Sequence, residues 1–206
     1  TEVGYWNSYV DKESLSSYNR QLATKIELES TQSYGSISLS SEQTKLLLTD
    51  ANRAYHTEIN DLLLSAFGLA LTKSLGISNH YVTLEGHGRE ELTQHQDITR
   101  TVGWFTSMYP VALPNATIED LHQTILSIKE SVHSIPNKGI GYGALFGYTE
   151  VELPRISFNY LGQFDNQDSS TNQTNANSKD KSNNRLWQVA GEPSGASVSR
   201  ENHDSN

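Results

Sequence analysis

Apolar residues recur with the spacing of α-helices in several parts of the chain. The clearest case is one set of positions three and four residues apart, namely Ile59, Leu62, Leu63, Ala66, Phe67, Ala70 and Leu71. Thr57 is placed to cap the start of this predicted helix, and Gly76 is placed to end it in a left-handed conformation. Leu64 and Leu69 widen the apolar face, so we expect the helix to be largely buried.

Capping signals predict further helices before and after this one. Ser40 precedes Gln43 by three positions, which predicts a helix over about residues 41–54. Thr117 and Asp120 have the same spacing and precede the pattern of an amphipathic helix, which Pro136 should end. The apolar face of this predicted helix consists of Leu121, Ile125, Ile128 and Val132. The pattern over residues 1–25 predicts a short helix followed by a polar connection. The pattern over residues 139–144 predicts a loop or a short helix.

Alternating apolar and polar positions predict strands between these helices. The predicted strands cover residues 26–39, 80–84, 102–111, 155–164 and 186–189. We expect Pro110 and Pro114 to stop the third strand. In the fourth, Asn159 falls on the face opposite Tyr160. Helices and strands are intermixed without an internal repeat, which predicts an α/β fold, while the almost wholly polar residues 166–184 predict a flexible loop.

Composition narrows the class of protein. The 206 residues carry a formal net charge of −9 and contain no run of Lys or Arg, which argues against a nucleic-acid or anionic-membrane partner. Without cysteine there is no disulfide framework and no thiolate nucleophile. The longest apolar-rich run, 59–71, is too short and interrupted to span a bilayer, and the first residues lack the features of a signal peptide. We therefore expect a soluble, cytoplasmic domain or lobe.

The densest group of ionisable residues is the segment E-G-H-G-R-E at 85–90, directly after the predicted strand 80–84. Gly86 and Gly88 permit a tight turn, so the strand can present Glu85 at its end as a candidate acid or base. An ordinary charged surface turn explains the same segment equally simply.

Other chemical signatures are weak or missing. No histidine lies in an H-E-x-x-H motif, so we expect no metal site, and neither a G-x-S-x-G elbow nor a Walker loop occurs. Residues 139–144 fit G-x-G-x-x-A but follow a predicted helix and a proline, which argues against a nucleotide site. Packing roles alone could account for Asn159, Tyr160 and Trp104.

Five segments in order resemble the motifs of epimerization domains of nonribosomal peptide synthetases, which belong to the condensation-domain superfamily. These segments are residues 61–68, 85–90, 100–111, 136–143 and 158–163. The first and third would suit the superfamily broadly, whereas E-G-H-G-R-E and F-N-Y-L-G-Q are the segments that point to epimerization.

The resemblance implies a fold and a reaction. The fold would be a chloramphenicol-acetyltransferase-like lobe, a mixed sheet packed with helices, with the active site in a tunnel between two lobes. A carrier protein would supply the aminoacyl or peptidyl thioester on its own 4′-phosphopantetheine, and the domain would need no cofactor of its own. Glu85 would be one of two acid/base groups that convert Cα from L to D, with its pKa raised by partial burial. Asn159, Tyr160, Trp104 and Thr106 would bind substrate.

The chain also departs from the family pattern. The second catalytic group of such domains lies in an H-H-x-x-x-D-G motif of the N-terminal lobe, and this chain has no adjacent pair of histidines. We therefore expect residues 1–206 to form the C-terminal lobe alone, with little activity in isolation. Two other interpretations stay open: a lobe of a peptide-bond-forming condensation domain, and a noncatalytic lobe that docks carrier proteins.

Overall fold

The computed structural model describes residues 1–25, 34–90, 98, 100–147 and 153–162. The chain divides into two compact units, Thr1–Tyr160 and Leu161–Asn206, and the described helices and strands belong to the first. The predicted polar loop at 166–184 and the predicted strand at 186–189 lie outside the described residues.

In the described residues, a three-stranded mixed sheet forms the centre of this unit. Its strands are β1 (His80–Gly86), β2 (Ser107–Leu113) and β3 (Ser157–Phe158), in the order β2-β1-β3. β1 pairs antiparallel with β2 along its whole length and parallel with the short β3. The predicted mixed sheet is therefore confirmed.

Three of the strand predictions were wrong in their limits. Of the strand predicted over residues 155–164, the described residues show only Ser157–Phe158 as β3. Pro110 lies inside β2 rather than at its end. This is possible because β2 pairs only with β1 among the described residues and needs fewer backbone donors on its other side. Residues 34–40 form no strand, and Ile37 is 96% exposed. The rest of that prediction, residues 26–33, lies outside the described residues.

Helical segments surround the sheet. In chain order they are α1 (Glu2–Tyr9), α2 (Lys12–Lys25), α3 (Ser41–Leu46), a π-helical turn (Leu47–Ala51), α4 (Asn52–Tyr55), α5 (Ile59–Leu75), α6 (Leu121–His133), a 3₁₀ turn (Pro136–Gly139) and α7 (Gly141–Phe146). The polar connection predicted before residue 25 is instead the helix α2. Although α2 is polar in composition, four of its residues are buried at helical spacing, namely Leu15, Tyr18, Asn19 and Leu22.

The buried face of α5 differs from the predicted one. Leu62 and Leu64 are buried as predicted, but Ala66 is exposed, and Asp61, Ser65 and Gly68 are buried instead. Polar residues can be buried here because they have partners: the Ser65 hydroxyl donates to the Asp61 carbonyl at 2.7 Å. Gly68 lets the helix approach the end of β2 closely, since a Cβ there would lie 3.6 Å from the Cβ of Leu113 and 3.1 Å from the Cβ of Ala116, just after that strand.

The predicted helix caps were partly correct. Ser40 and Gln43 form the expected capping box, and Gly76 ends α5 with φ of +65°. However, α5 begins after Glu58 rather than Thr57. α6 begins after Asp120, whose carboxylate accepts from the Gln123 amide at 3.0 Å, so Thr117 lies outside that helix.

The hydrophobic core fills the space between sheet and helices. Its fully buried members include Leu64 of α5, Val82 of β1, Val111 and Leu113 of β2, and Ile128 of α6. Trp6 of α1 extends the core toward α7, with an edge-on contact to Tyr142 at 4.9 Å between ring centroids. In the part of the chain that the structure describes, no helix is long and apolar enough to cross a membrane.

Candidate functional site

The central strand carries the candidate acid/base group at its end. Val82 and Leu84 of β1 are buried, and the strand pairs with neighbours on both edges. Glu85, the next residue, is exposed where the strand emerges from the core. The partial burial expected for Glu85 is therefore not provided by the described residues.

The parallel pairing of β1 and β3 brings a second predicted site residue to Glu85. Thr83 lies opposite Ser157 and Leu84 opposite Phe158, so the residues that follow emerge side by side. The side-chain Nδ2 of Asn159 donates a hydrogen bond of 2.9 Å to Oε2 of Glu85. This bond orients the carboxylate and leaves its other oxygen without a partner among the described residues.

A pocket of about 520 Å³ opens beside this pair. Four of the five predicted site residues line it: Glu85, Thr106, Asn159 and Tyr160. Trp104 is 90% exposed and is not among the lining residues, so the structure does not bring it to the other four. The rest of the wall comes from the start of α5, the end of α6, the segment 86–90 and the turn after α6.

Close backbone packing fixes the turn that follows Glu85. Gly88 has φ of +63°, and a Cβ at this position would lie 1.5 Å from the carbonyl oxygen of Phe105. Arg89 stacks over the Phe105 ring at 4.3 Å and donates to the carbonyl of Ile98 at 2.7 Å. The glycine and the arginine thus tie the turn to the loop that precedes β2.

Glu90 is the centre of a small network of one ion pair and hydrogen bonds. Its Oε1 lies 3.1 Å from Nε2 of His87 and its Oε2 lies 3.4 Å from Nζ of Lys138. Nδ1 of His87 in turn accepts from the backbone amide of Arg89 at 3.0 Å. The network therefore joins both ends of the turn and connects it to the segment after α6.

The pocket lining also contains an Asp–His pair that the sequence did not predict. Asp61 is 1% exposed, and its Oδ2 lies 3.1 Å from Nε2 of the half-exposed His133. The same carboxylate accepts from the backbone amide of Glu58 at 2.9 Å. The available signal was a carboxylate within the apolar run of α5, which requires a partner once buried. Nothing in the sequence identified His133 as that partner.

Tyr109 of β2 forms part of the pocket wall. Burial, together with the nearby charges of Glu90 and Tyr9, raises the pKa of Tyr109 to about 12. Its hydroxyl therefore stays neutral at physiological pH and can both donate and accept hydrogen bonds. Among the described residues, no group of three or more His, Cys, Asp or Glu side chains could hold a metal ion.

The helix-covered mixed sheet with a pocket at the end of its central strand is a chloramphenicol-acetyltransferase-like fold. Residues 1–191 match the Condensation domain family, and the chain belongs to that family of nonribosomal peptide synthetase domains.

Curated relatives and a solved structure agree with this assignment. The chain is 49% identical over 137 residues to surfactin synthase subunit 1 of Bacillus subtilis (strain 168), covering 62% of this chain and 4% of the relative. It is 42% identical over 177 residues to gramicidin S synthase 1 of Brevibacillus brevis, covering 80% and 16%. The chain thus spans less than a fifth of the length of these relatives.

Among solved structures, the epimerization domain from the third module of tyrocidine synthetase B is similar with a TM-score of 0.56 and 37% sequence identity. The similarity covers 78% of this chain and 41% of that one.

Proposed function

We propose that this chain is the C-terminal lobe of an epimerization domain, which converts Cα of a carrier-bound aminoacyl or peptidyl thioester between L and D. The observation that carries the proposal is the hydrogen bond from Asn159 to Glu85 at the pocket. It joins a residue of E-G-H-G-R-E to one of F-N-Y-L-G-Q, the two segments that favour epimerization over the broader superfamily. The 37% identity to a solved epimerization domain supports the same conclusion.

The chemistry explains why a carboxylate suits this position. The Cα–H bond of the thioester breaks as a base takes the proton, and the electron pair moves to the thioester oxygen as an enolate. A proton then returns to the opposite face of Cα while the electron pair forms the new C–H bond. Two acid/base groups must therefore flank the carbon, and Glu85 is the one that this chain supplies.

The neighbours of Glu85 have roles in the proposed reaction that match their chemistry. Asn159 holds the carboxylate in one orientation, and the side chains of Tyr160 and Thr106 offer hydroxyl groups on the pocket wall. Hydrogen-bond donors of this kind stabilise an enolate oxygen when they are held in place before the reaction. Trp104 does not line the pocket, and the reaction as proposed does not use it.

The second acid/base group and the thioester come from outside this chain in the proposal. The matched part is 41% of the solved epimerization domain, and this chain has no adjacent pair of histidines. We expect the other lobe to supply the second group and to exclude water from Glu85. A carrier protein would bring the thioester on its 4′-phosphopantetheine arm.

Glu85→Gln in a complete two-lobed domain tests the proposal. The amide keeps the size of the side chain and its bond to Asn159 but cannot take a proton. We expect the rate of solvent-deuterium incorporation at Cα of a carrier-bound aminoacyl thioester to fall by at least about 100-fold. The matched control is Glu42→Gln, an exposed glutamate of α3, which should leave the rate unchanged. Undiminished deuterium incorporation in Glu85→Gln would refute the role of Glu85.

A peptide-bond-forming condensation domain is the second candidate. It is favoured by the match of residues 1–191 to the Condensation domain family. Such a domain would join a thioester to an amine acceptor and would not need a base at Glu85. Peptide-bond formation that is unaffected by Glu85→Gln, with no deuterium entering at Cα, would establish this function. Carrier binding without either reaction would indicate a docking lobe.

A further inference from the structure

The turn between α6 and α7 has an unusual backbone. Asn137, Lys138 and Gly139 are all left-handed, with φ of 48°, 49° and 78°. Glycine adopts this conformation freely and asparagine tolerates it, but a lysine there is strained. Strain of this kind persists where the surrounding structure or the function requires that particular residue.

Packing against the Tyr109 ring holds this turn in place. Gly139 lies directly against the ring of Tyr109, because a Cβ at residue 139 would come within 2.2 Å of that ring. Tyr109 itself is only 5% exposed and belongs to the core. The turn is therefore fixed to β2, and its position does not depend on the exposed side chain of Lys138.

From this fixed turn, Lys138 reaches the segment that carries Glu85. Its ammonium lies 3.4 Å from Glu90, the carboxylate that also pairs with His87. Its backbone carbonyl lies beside Gly86, 3.7 Å from where a Cβ of that residue would be. Lys138 thus meets the 85–90 segment at both of its ends, and both Lys138 and Glu90 line the pocket.

We propose that Lys138 and Glu90 are positioning residues, whose ion pair holds the 85–90 segment so that the carboxylate of Glu85 faces the pocket in one orientation. The inference rests on the proposed function, because it assigns the pair its role through Glu85. Strained backbone at Lys138 is retained because a glycine, which would relax it, could not reach Glu90. Without the pair, Glu85 would sample orientations away from the substrate Cα.

Substitutions in a complete two-lobed domain test the role in turnover. Lys138→Met removes the charge and keeps the length of the side chain, so we expect kcat for deuterium incorporation at Cα to fall about five- to tenfold with KM within about twofold. Lys138→Arg should restore most of the rate. Glu90→Gln should resemble Lys138→Met, and the double variant should be no slower than the slower single variant, because both changes break one pair.

Two further measurements separate positioning from a general structural role. Lys138→Gly should lower kcat as Lys138→Met does while leaving the thermal midpoint at or above that of the unsubstituted protein, because the backbone strain is relieved. In the 206-residue chain itself, Lys138→Met should speed amide hydrogen exchange in residues 86–90. Lys45→Met, at a lysine of α3 remote from the pocket, is the matched control for both rate and exchange.

The outcomes distinguish this inference from the proposed function. If Glu85→Gln abolishes deuterium incorporation but Lys138→Met behaves like Lys45→Met, the positioning role is wrong and the proposed function stands. Effects of Lys138→Met and Glu90→Gln that multiply in the double variant would also overturn it. If Glu85→Gln leaves deuterium incorporation intact, the proposed function and the positioning role both fail.

Discussion

Gly88 and Gly76 have nearly the same backbone conformation but different surroundings. Their φ angles are +63° and +65°, yet a Cβ at Gly88 would overlap the Phe105 carbonyl whereas one at Gly76 would meet nothing within 4 Å. Gly76→Ala should therefore cost only the left-handed strain, about 1 kcal/mol of the free energy of unfolding. Gly88→Ala should cost about 3 kcal/mol or more, because the turn or β2 must also move.

Urea unfolding of the two variants measures this difference. Equal losses of stability would show that the close approach of Gly88 to Phe105 contributes nothing. The contact would then not be what holds the turn beside Glu85.

His80 gives the fold a dependence on mildly acidic pH. It is 1% exposed and lies between the Tyr18 hydroxyl at 3.1 Å and the Thr72 hydroxyl at 3.2 Å. Burial lowers the pKa of His80 from 6.5, since the charged ring would lose its hydration. The neutral ring's contribution is fully present above pH 6.5 and is lost as the pH falls through the lower pKa of the folded state.

We expect the free energy of unfolding to fall by up to about 1 kcal/mol per pH unit over the range between the ordinary pKa of histidine and the lower pKa of His80 in the folded state. His80→Gln should have a shallower pH slope than the unsubstituted protein, although it is less stable at neutral pH. Parallel slopes for the protein and His80→Gln, in urea unfolding at several pH values, would contradict the assignment.

At the scale of single residues, the sequence predicted which side chains belong to the site better than it predicted which side chains contact each other. Glu85 and Asn159 were recognised from motifs, and the structure places them in one hydrogen bond. The pairing of Asp61 with His133 joins positions 72 residues apart, and neither residue has a local pattern that selects the other. The ion pair of Lys138 with Glu90 was missed for the same reason, although both residues lie in recognised motifs.

Among the helices, the junction of α5 and α6 depends on one buried carboxylate. Asp61 near the start of α5 holds His133 at the end of α6. Asp61→Ala would leave the Glu58 amide without its acceptor and His133 without its anion. We expect a loss of about 3 kcal/mol in the free energy of unfolding.

Asp50→Ala is the matched control for this prediction. Asp50 pairs with Arg53 at 2.7 Å, but both side chains are more than half exposed, so the cost should stay below about 0.5 kcal/mol. Chemical denaturation of both variants makes the comparison. A similar small cost at Asp61 would show that the interhelical pair is not stabilising.

Element types were easier to predict than their faces and ends. The helix over α5 was predicted from its spacing, but the same spacing put Ala66 on the buried face and left Asp61 off it. The choice of face depends on which neighbour can accept a close approach at Gly68 or satisfy a buried carboxylate, and this is a tertiary property. Likewise, Pro110 is compatible with β2 because the described residues pair β2 on one side only, which the local sequence does not encode.

For the molecule as a whole, the raised pKa values of three tyrosine side chains predict unfolding in alkali. Burial is the largest cause that raises the pKa values of Tyr9, Tyr18 and Tyr109, each to about 12, from 10.0. Because the neutral phenols are favoured in the folded state, their contribution is fully present below pH 10 and is lost as the pH rises toward 12. Tyrosinate absorbance and the loss of circular dichroism should rise together in this range.

Tyr109→Phe removes one of the three groups without removing its ring. If alkaline unfolding follows phenol ionisation, this variant should unfold at a higher pH than the unsubstituted protein. Ionisation of all tyrosines well before any loss of circular dichroism would contradict the prediction.

The fold class of the whole molecule was predictable because motifs that follow one another in a family's order carry information about the fold that hydrophobic periodicity lacks. Alternation and helical spacing predicted an intermixed α/β chain, but they gave no strand order. The mixed order β2-β1-β3 follows from a crossover that returns the chain to the far side of β1 after α6 and α7. Only the resemblance of five segments to one family led to the mixed sheet.

Because β3 is short, the position of Asn159 beside Glu85 depends on the number of residues before β3 as much as on their identity. Only Ser157 and Phe158 pair with β1, and Asn159 meets Glu85 because it comes directly after them. A single inserted residue upstream of Ser157 would turn Asn159 to the other face of the sheet while leaving the identity of every core side chain unchanged. Insertions and deletions in this short stretch are therefore a route by which related lobes could keep one architecture and exchange one chemistry for another.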